Sequence, residues 1–219
     1  TFSKVISDNN INNSINDEDI NINFKLRNNQ LEKLKKDDLA VQYYYKTVHE
    51  DPLLDKGWIA ITRFYNRKRN YQKALYYINK AINIDSENVI YWKLYSQINS
   101  RLKLYEEAER GFKKTLELGN YELSTWLSRG DLLIKLGEPE AAIYNFEQAA
   151  EFYPENAELE FRLAGLFFIL NETDKGTFHL KNGLKYNAEY SFIIDELFPE
   201  VCNKIQVKNL LKTNQKEGL

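Results

Sequence analysis

The sequence is poor in the residues that build redox and metal sites. Among its 219 residues cysteine occurs once, at Cys202, and methionine does not occur at all. A single cysteine excludes an intrachain disulfide framework and a cysteine-based zinc cluster. It also suits a reducing compartment, so we expect a cytoplasmic location, with a signal peptide removed before residue 1 left open. The absence of methionine leaves open whether the chain is a fragment of a larger protein.

Long apolar runs and an excess of positive charge are lacking too. No stretch approaches the roughly 18–20 apolar residues that span a bilayer. The net charge is −2, with 43% apolar and 28% charged residues, which is typical of a soluble globular protein. A nucleic-acid-binding domain usually has a strongly basic balance. We therefore expect no membrane insertion and no nucleic-acid partner.

Motifs that carry chemistry are missing as well. The sequence contains no glycine-rich phosphate loop, no HExxH and no GxSxG, the patterns that position phosphates, zinc and a nucleophilic serine. The acidic pairs Glu106/Glu107 and Glu138/Glu140 fall at predicted helix starts, where carboxylates interact favourably with the helix dipole. We predict no catalytic residue, no cofactor and no metal site, and therefore a protein that is not an enzyme.

What the sequence does have is an internal repeat of 34 residues, which defines the units 21–54, 55–88, 89–122, 123–156 and 157–190. Small residues recur at a spacing of 34 positions, and so do all three tryptophans, Trp58, Trp92 and Trp126. A large apolar residue follows each small one by four positions. The small residues are Ala40, Ala74, Ala108, Ala142 and Gly176, and the large ones are Tyr44, Ile78, Phe112, Phe146 and Leu180.

Each unit has two amphipathic helical patterns separated by a short polar break. In the unit 123–156, Gly137 suits the left-handed position after a first helix and Pro139 suits the first turn of a second. Small residues leave room where two helices cross closely, whereas a large residue there would overpack by roughly 1–3 kcal/mol. One helical hairpin cannot bury both of its faces, so we expect neighbouring hairpins to stack in an all-α array.

The repeat resembles the tetratricopeptide repeat family, whose unit is a 34-residue helical hairpin. The match is fullest at Trp126, Gly130, Leu133, Ala142, Phe146 and Pro154. The resemblance covers about residues 21–190 and implies a right-handed α-solenoid of about five hairpins. Residues 1–20 are rich in Asn, Asp and Ser and predict a disordered lead. Residues 191–219 predict a partial hairpin or capping helix that covers the last unit.

The resemblance also implies a working surface, because this family holds peptides or partner helices on the concave side lined by the first helix of each unit. We expect a non-catalytic protein-interaction scaffold that binds a peptide or helix of a partner protein there. Positions 2, 5, 9 and 12 of each unit should point inward. The candidate groove residues are Lys25, Asn29, Ile59, Arg63, Asn66, Lys93, Gln97, Leu127, Asp131, Ile134, Phe161 and Phe168.

Three other interpretations remain open from the sequence. The concave face could be merely solvated. The chain could be a self-associating assembly module, with Tyr43, Tyr44 and Tyr45 as one candidate patch for a homo-oligomer. It could also be the regulatory or targeting arm of a larger multidomain protein. Groove residues predict where a partner binds and not which partner it is.

Overall fold

A computed structural model describes residues 36, 38–204 and 207–211 of the chain. It contains two compact units, residues 1–52 and 53–219. In the first unit, residues 38–50 are helical and form α1. The predicted lead over 1–20 and the candidate groove residues Lys25 and Asn29 lie outside the described residues.

The second unit is built from consecutive helices joined by short turns. Each helix packs against the one before it and the one after it, from α2 to α9, so the hairpins stack in chain order. No strand occurs among the described residues, and the predicted all-α solenoid is confirmed. The helices are α2 (Asp55–Arg67), α3 (Tyr71–Ile84), α4 (Val89–Arg101), α5 (Tyr105–Glu117), α6 (Leu123–Leu136), α7 (Pro139–Phe152), α8 (Ala157–Ile169) and α9 (Thr173–Asn187).

The turn inside each hairpin has the same backbone conformation. Gly137 ends α6 in the left-handed region at φ 76°, as its sequence context predicts. Arg69, Lys103 and Asn171 occupy the equivalent positions one or two repeat steps away and are also left-handed, at φ 58°, 61° and 61°. A non-glycine residue in this region costs roughly 1–2 kcal/mol. The hairpin geometry is therefore imposed by helix packing even where the turn lacks glycine.

The small residues of the repeat lie where the two helices of a hairpin approach each other. Ala74, Ala108 and Ala142 are fully buried. A Cβ atom added at Gly130 of α6 would overlap the ring of Phe146 in α7. A residue without a side chain is therefore required on the first helix at the point where the Phe146 ring of the second helix packs against it.

The C-terminal segment after α9 packs onto α8. It comprises a 3₁₀ turn (Ala188–Ser191), α10 (Phe192–Leu197) and α11 (Pro199–Cys202), followed by helical residues 207–211. The ring of Phe198 is buried against Gly165 of α8, where a Cβ atom would overlap it. Lys204 Nζ donates a hydrogen bond of 2.5 Å to the carbonyl oxygen of Phe168. The C-terminal segment therefore covers α8, which is the first helix of the last hairpin.

Within the described residues, the apolar helices are all too short to cross a bilayer.

Candidate protein-binding groove

The first helices of three consecutive hairpins line one open pocket of about 500 Å³. Asn66 of α2, Gln97 of α4 and Asp131 of α6 all reach it. These are three of the residues that the sequence placed in the groove. The pocket spans 55–88, 89–122 and 123–156, so its lining is shared by neighbouring hairpins and not built by any one of them.

Two further predicted groove residues carry positive charge. Arg63 is exposed on α2. Lys93 of α4 is held by Glu122, whose carboxylate oxygen lies 2.5 Å from Lys93 Nζ, and the lysine side chain is only 24% exposed. The hydrogen bond from Lys93 is the main reason that the pKa of Glu122 lies below its usual value. At neutral pH Lys93 is therefore partly neutralised by a neighbour and not fully available to a partner.

Asp131 is likewise engaged within the array. Arg162 of α8 donates two hydrogen bonds to its carboxylate, at 2.7 and 3.1 Å. This bidentate pair joins α6 to α8, and Arg162 is 8% exposed. A paired guanidinium and carboxylate of this kind fixes side-chain geometry. Asp131 thus acts first as a packing contact between hairpins and only secondarily as lining of the pocket.

The apolar candidates behave differently from the polar ones. Ile59, Phe161 and Phe168 are buried, with Phe161 fully so, and Leu127 and Ile134 are half-buried against the core. The burial of Ile59, Phe161 and Phe168 corrects the expectation that they offer contact surface. The two phenylalanines lie on α8, the helix that the C-terminal segment covers, and pack against Gly183 and Gly176 of α9.

Ser100, at the predicted inward position 12 of its unit, also lines the pocket. The remaining lining residues were not predicted for the groove: Arg101, Phe112, Ser128, Leu132 and Lys135. On α6 the lining follows Ser128, Asp131 and Lys135, which are three and four positions apart. Residues on one face of an α-helix are spaced by three or four positions, whereas the predicted inward positions ended at position 12 of each unit. Extending these positions by one residue, to position 13, would have included Arg101 and Lys135.

The remaining chemically versatile residues do not form a site with one another. No group of three His, Cys, Asp or Glu side chains that could hold a metal occurs among residues 38–204 and 207–211. His179 Nδ1 lies 2.8 Å from a carboxylate oxygen of Glu160 and its ring stacks on Phe167. Burial and a contact with Asp195 raise the pKa of the Cys202 thiol to about 11, so the thiol is protonated at neutral pH.

Comparison with known proteins identifies the repeat. The family model for the tetratricopeptide repeat matches residues 123–156. Anaphase-promoting complex subunit 3 of Schizosaccharomyces pombe is 25% identical over 115 residues, which are 52% of this chain and 17% of that protein. TPR repeat-containing protein MJ1428 of Methanocaldococcus jannaschii is 29% identical over 111 residues, 51% of this chain and 19% of that protein. The chain thus spans less than a fifth of either relative.

Solved structures share the fold at low sequence identity. The crystal structure of MamA has a TM-score of 0.63 and 14% identity, covering 73% of this chain and 94% of that one. The structure titled "YrrB: a TPR protein with an unusual peptide-binding site" has a TM-score of 0.61 and 17% identity, covering 79% of this chain and 91% of that one. At these identities the likeness concerns the fold.

Proposed function

We propose that the chain is a non-catalytic scaffold that binds a peptide or helix of a partner protein along α2, α4 and α6, because a model of the tetratricopeptide repeat matches its residues 123–156. The observation that carries this proposal is the pocket of about 500 Å³ shared by three consecutive hairpins. A surface that continues from one hairpin to the next suits a ligand that is long in one direction, such as a peptide in extended or helical form.

The lining suits hydrogen bonding to a peptide backbone. The amides of Asn66 and Gln97 each offer both a donor and an acceptor, and Gln97 is exposed. Arg101 and Lys135 add positive charge on the same lining. The printed title of the YrrB structure speaks of a peptide-binding site on a similar fold, which supports the same use here.

A selected peptide tests this proposal. A displayed library of random peptides is enriched on the chain, and the affinity of one selected peptide is measured by fluorescence anisotropy. Asn66→Ala combined with Gln97→Ala should raise Kd at least tenfold, about 1.4 kcal/mol. Asn79→Ala removes an exposed amide from the second helix α3 and should leave Kd unchanged. Equal affinity of all three proteins would show that the groove is not where peptides bind.

Self-association is a second candidate function, favoured by one observation. Tyr43 and Tyr44 of α1 are 73% and 38% exposed, and tyrosine is enriched at protein interfaces. Tyr45 is half-buried and is not part of this patch. Light scattering across concentration separates the candidates. If the chain is a dimer and the double substitution Tyr43→Ser and Tyr44→Ser dissociates it, self-association is favoured. If the chain is a monomer at all concentrations, self-association is eliminated.

A further inference from the structure

The second helices of three consecutive hairpins, α3, α5 and α7, carry different charges on the side that faces away from the groove. The charged residues of α3 are Lys73 and Lys80, and this helix has no acidic residue. The charged residues of α7 are Glu140, Glu147 and Glu151, and this helix has no basic residue. All five side chains are exposed. α3 is therefore a positive surface and α7 a negative one, two hairpins apart.

These charges are not neutralised by ion pairs within the array. The two lysines each lie over a tyrosine ring, at 5.0 and 5.4 Å from the ring centroid. Neither lysine and none of the three glutamates has an ion-pair partner among the residues that the structure describes. On α5, which lies between them in the order of hairpins, Arg110 is paired with Glu107, and Lys114 lies 4.0 Å from Glu117. The charges of α5 are therefore balanced within that helix, whereas those of α3 and α7 are not.

The lysines and the glutamates have the same spacing along their helices. Lys73 and Lys80 are seven residues apart, and so are Glu140 and Glu147. Seven residues make about two turns of an α-helix, so each pair lies on one side of its helix, about 10 Å apart. Each glutamate follows its lysine by one residue less than two repeat steps. The positive and the negative residues therefore lie at almost equal heights on α3 and α7.

An exposed tyrosine lies between the charged residues on both helices. Tyr76 of α3 is 57% exposed and Tyr144 of α7 is 63% exposed. Both occupy position 22 of their units. Tyrosine is enriched in the centre of protein interfaces, where a polar rim surrounds it. We refer to the exposed sides of α3, α5 and α7 as the second-helix face.

We propose that the second-helix face binds the same face of a second copy of the chain in a two-fold symmetric dimer. A two-fold axis parallel to α5 places α3 of each copy on α7 of the other, so that positive charge meets negative charge. A two-fold axis perpendicular to the helices would instead place α3 on α3 and α7 on α7, where like charges repel. Charge complementarity therefore selects the first arrangement and supplies the reason for a second copy as the occupant.

The symmetry of this dimer repeats every contact twice. The two α5 helices meet at the axis, where Arg110 is already paired with Glu107. The first helices that line the groove lie on the opposite side of the hairpins, so each copy keeps its groove open. The residues that face each other across the dimer are Lys73 with Glu140, Lys80 with Glu147, and Tyr76 with Tyr144.

Sedimentation velocity of the full chain tests the dimer at concentrations from about 1 μM to about 1 mM, which cover weak to moderate dissociation constants. The parent chain should form a dimer that dissociates on dilution. Raising NaCl from about 0.1 M to about 1 M should weaken the dimer at least tenfold, because the screening length falls from about 10 Å to about 3 Å. A monomer at all concentrations, or a dimer that is equally tight at both salt concentrations, would overturn the proposal.

Charge reversal localises the surface. Lys73→Glu/Lys80→Glu and Glu140→Lys/Glu147→Lys should each be monomeric, because α3 and α7 then carry the same sign. An equimolar mixture of the two variants should restore a dimer with one copy of each, since α3 of either variant again meets α7 of opposite sign. A dimer formed by either variant alone, or a mixture that stays monomeric, would contradict the proposed pairing.

A matched control changes the net charge by the same amount elsewhere. Lys56→Glu/Lys103→Glu reverses two exposed lysines, one on α2 and one in the turn before α5, and should dimerise as tightly as the parent chain. An equal loss of the dimer in this control would show a general effect of net charge and would overturn the proposal.

The dimer and the proposed function can fail separately. If the mixture of reversed variants dimerises but no peptide is selected on the groove, the proposed function falls while the inference stands. If selected peptides depend on Gln97 but the parent chain is monomeric, the reverse holds. A dimer that Tyr43→Ser/Tyr44→Ser dissociates while both charge reversals leave it intact would place self-association on α1 and overturn the inference. A parent chain that stays monomeric and binds a polylysine peptide on α7 would also overturn it.

Discussion

Phe198→Ala should destabilise the C-terminal end of the array and expose α8, the first helix of the last hairpin. Phe198 is 1% exposed and its ring lies against Gly165 of α8. Truncation of a buried phenylalanine to alanine costs about 3–5 kcal/mol, because transfer free energy is lost and a cavity remains. The total stability of a domain is only about 5–15 kcal/mol, so this is a large fraction of it.

The effect should be localised because each hairpin contacts mainly its neighbours. Loss of the Phe198 ring weakens the packing of the C-terminal segment on α8 at Gly165. Amide hydrogen exchange should therefore speed up first in α8, α9 and the C-terminal segment. Urea unfolding followed by circular dichroism should lose cooperativity, since the last hairpin would open before the rest.

Phe192 provides the matched control on the same segment. It is 48% exposed, so Phe192→Ala should cost about 1 kcal/mol or less. The reasoning would be refuted if the two variants were equally stable, or if Phe198→Ala accelerated exchange uniformly along the chain. Either result would mean that the C-terminal segment does not cover the last hairpin.

Three further predictions concern ionisable groups. Asp131→Asn should lower stability by about 1.5–3 kcal/mol in thermal melts, because the charge-assisted hydrogen bonds of Arg162 are lost. The Cys202 thiol, with a pKa of about 11, should be alkylated slowly at pH 8 and tenfold faster per pH unit up to about pH 11, since only the thiolate reacts. The hydrogen bond from Lys93 lowers the pKa of Glu122. The stability that this pair contributes is therefore fully present at pH values above the normal glutamate pKa, and it is lost as the pH falls through the lowered pKa of Glu122. Glu122→Gln should remove that acid-side loss in melts and should tighten binding of acidic peptides at pH 7.

The sequence predicts the hairpins well because their register depends on local packing. Ala74, Ala108 and Ala142 recur where helices cross, and close packing there tolerates only small side chains. Gly137 and Pro139 mark one turn by their own backbone preferences. The other turns could not be predicted in the same way, because Arg69 and Lys103 adopt the left-handed conformation only under the constraint of the packed helices.

The candidate groove was predicted less completely than the fold. Asn66, Gln97 and Asp131 line the pocket because unit position determines the direction in which a first helix points its side chains. Phe161 and Phe168 share those unit positions but are buried, because their rings pack against Gly183 and Gly176 of α9. Unit position alone does not reveal this burial, because it depends on the small residues that face each ring from the second helix.

The most direct test of the account is NMR chemical-shift mapping of a library-selected peptide on the uniformly labelled chain. Binding in the groove predicts that the largest shifts fall on α2, α4 and α6, centred on Gln97 and Ser128. Shifts confined to the second helices α3, α5 and α7 would place the peptide on the opposite side of the hairpins and contradict the groove.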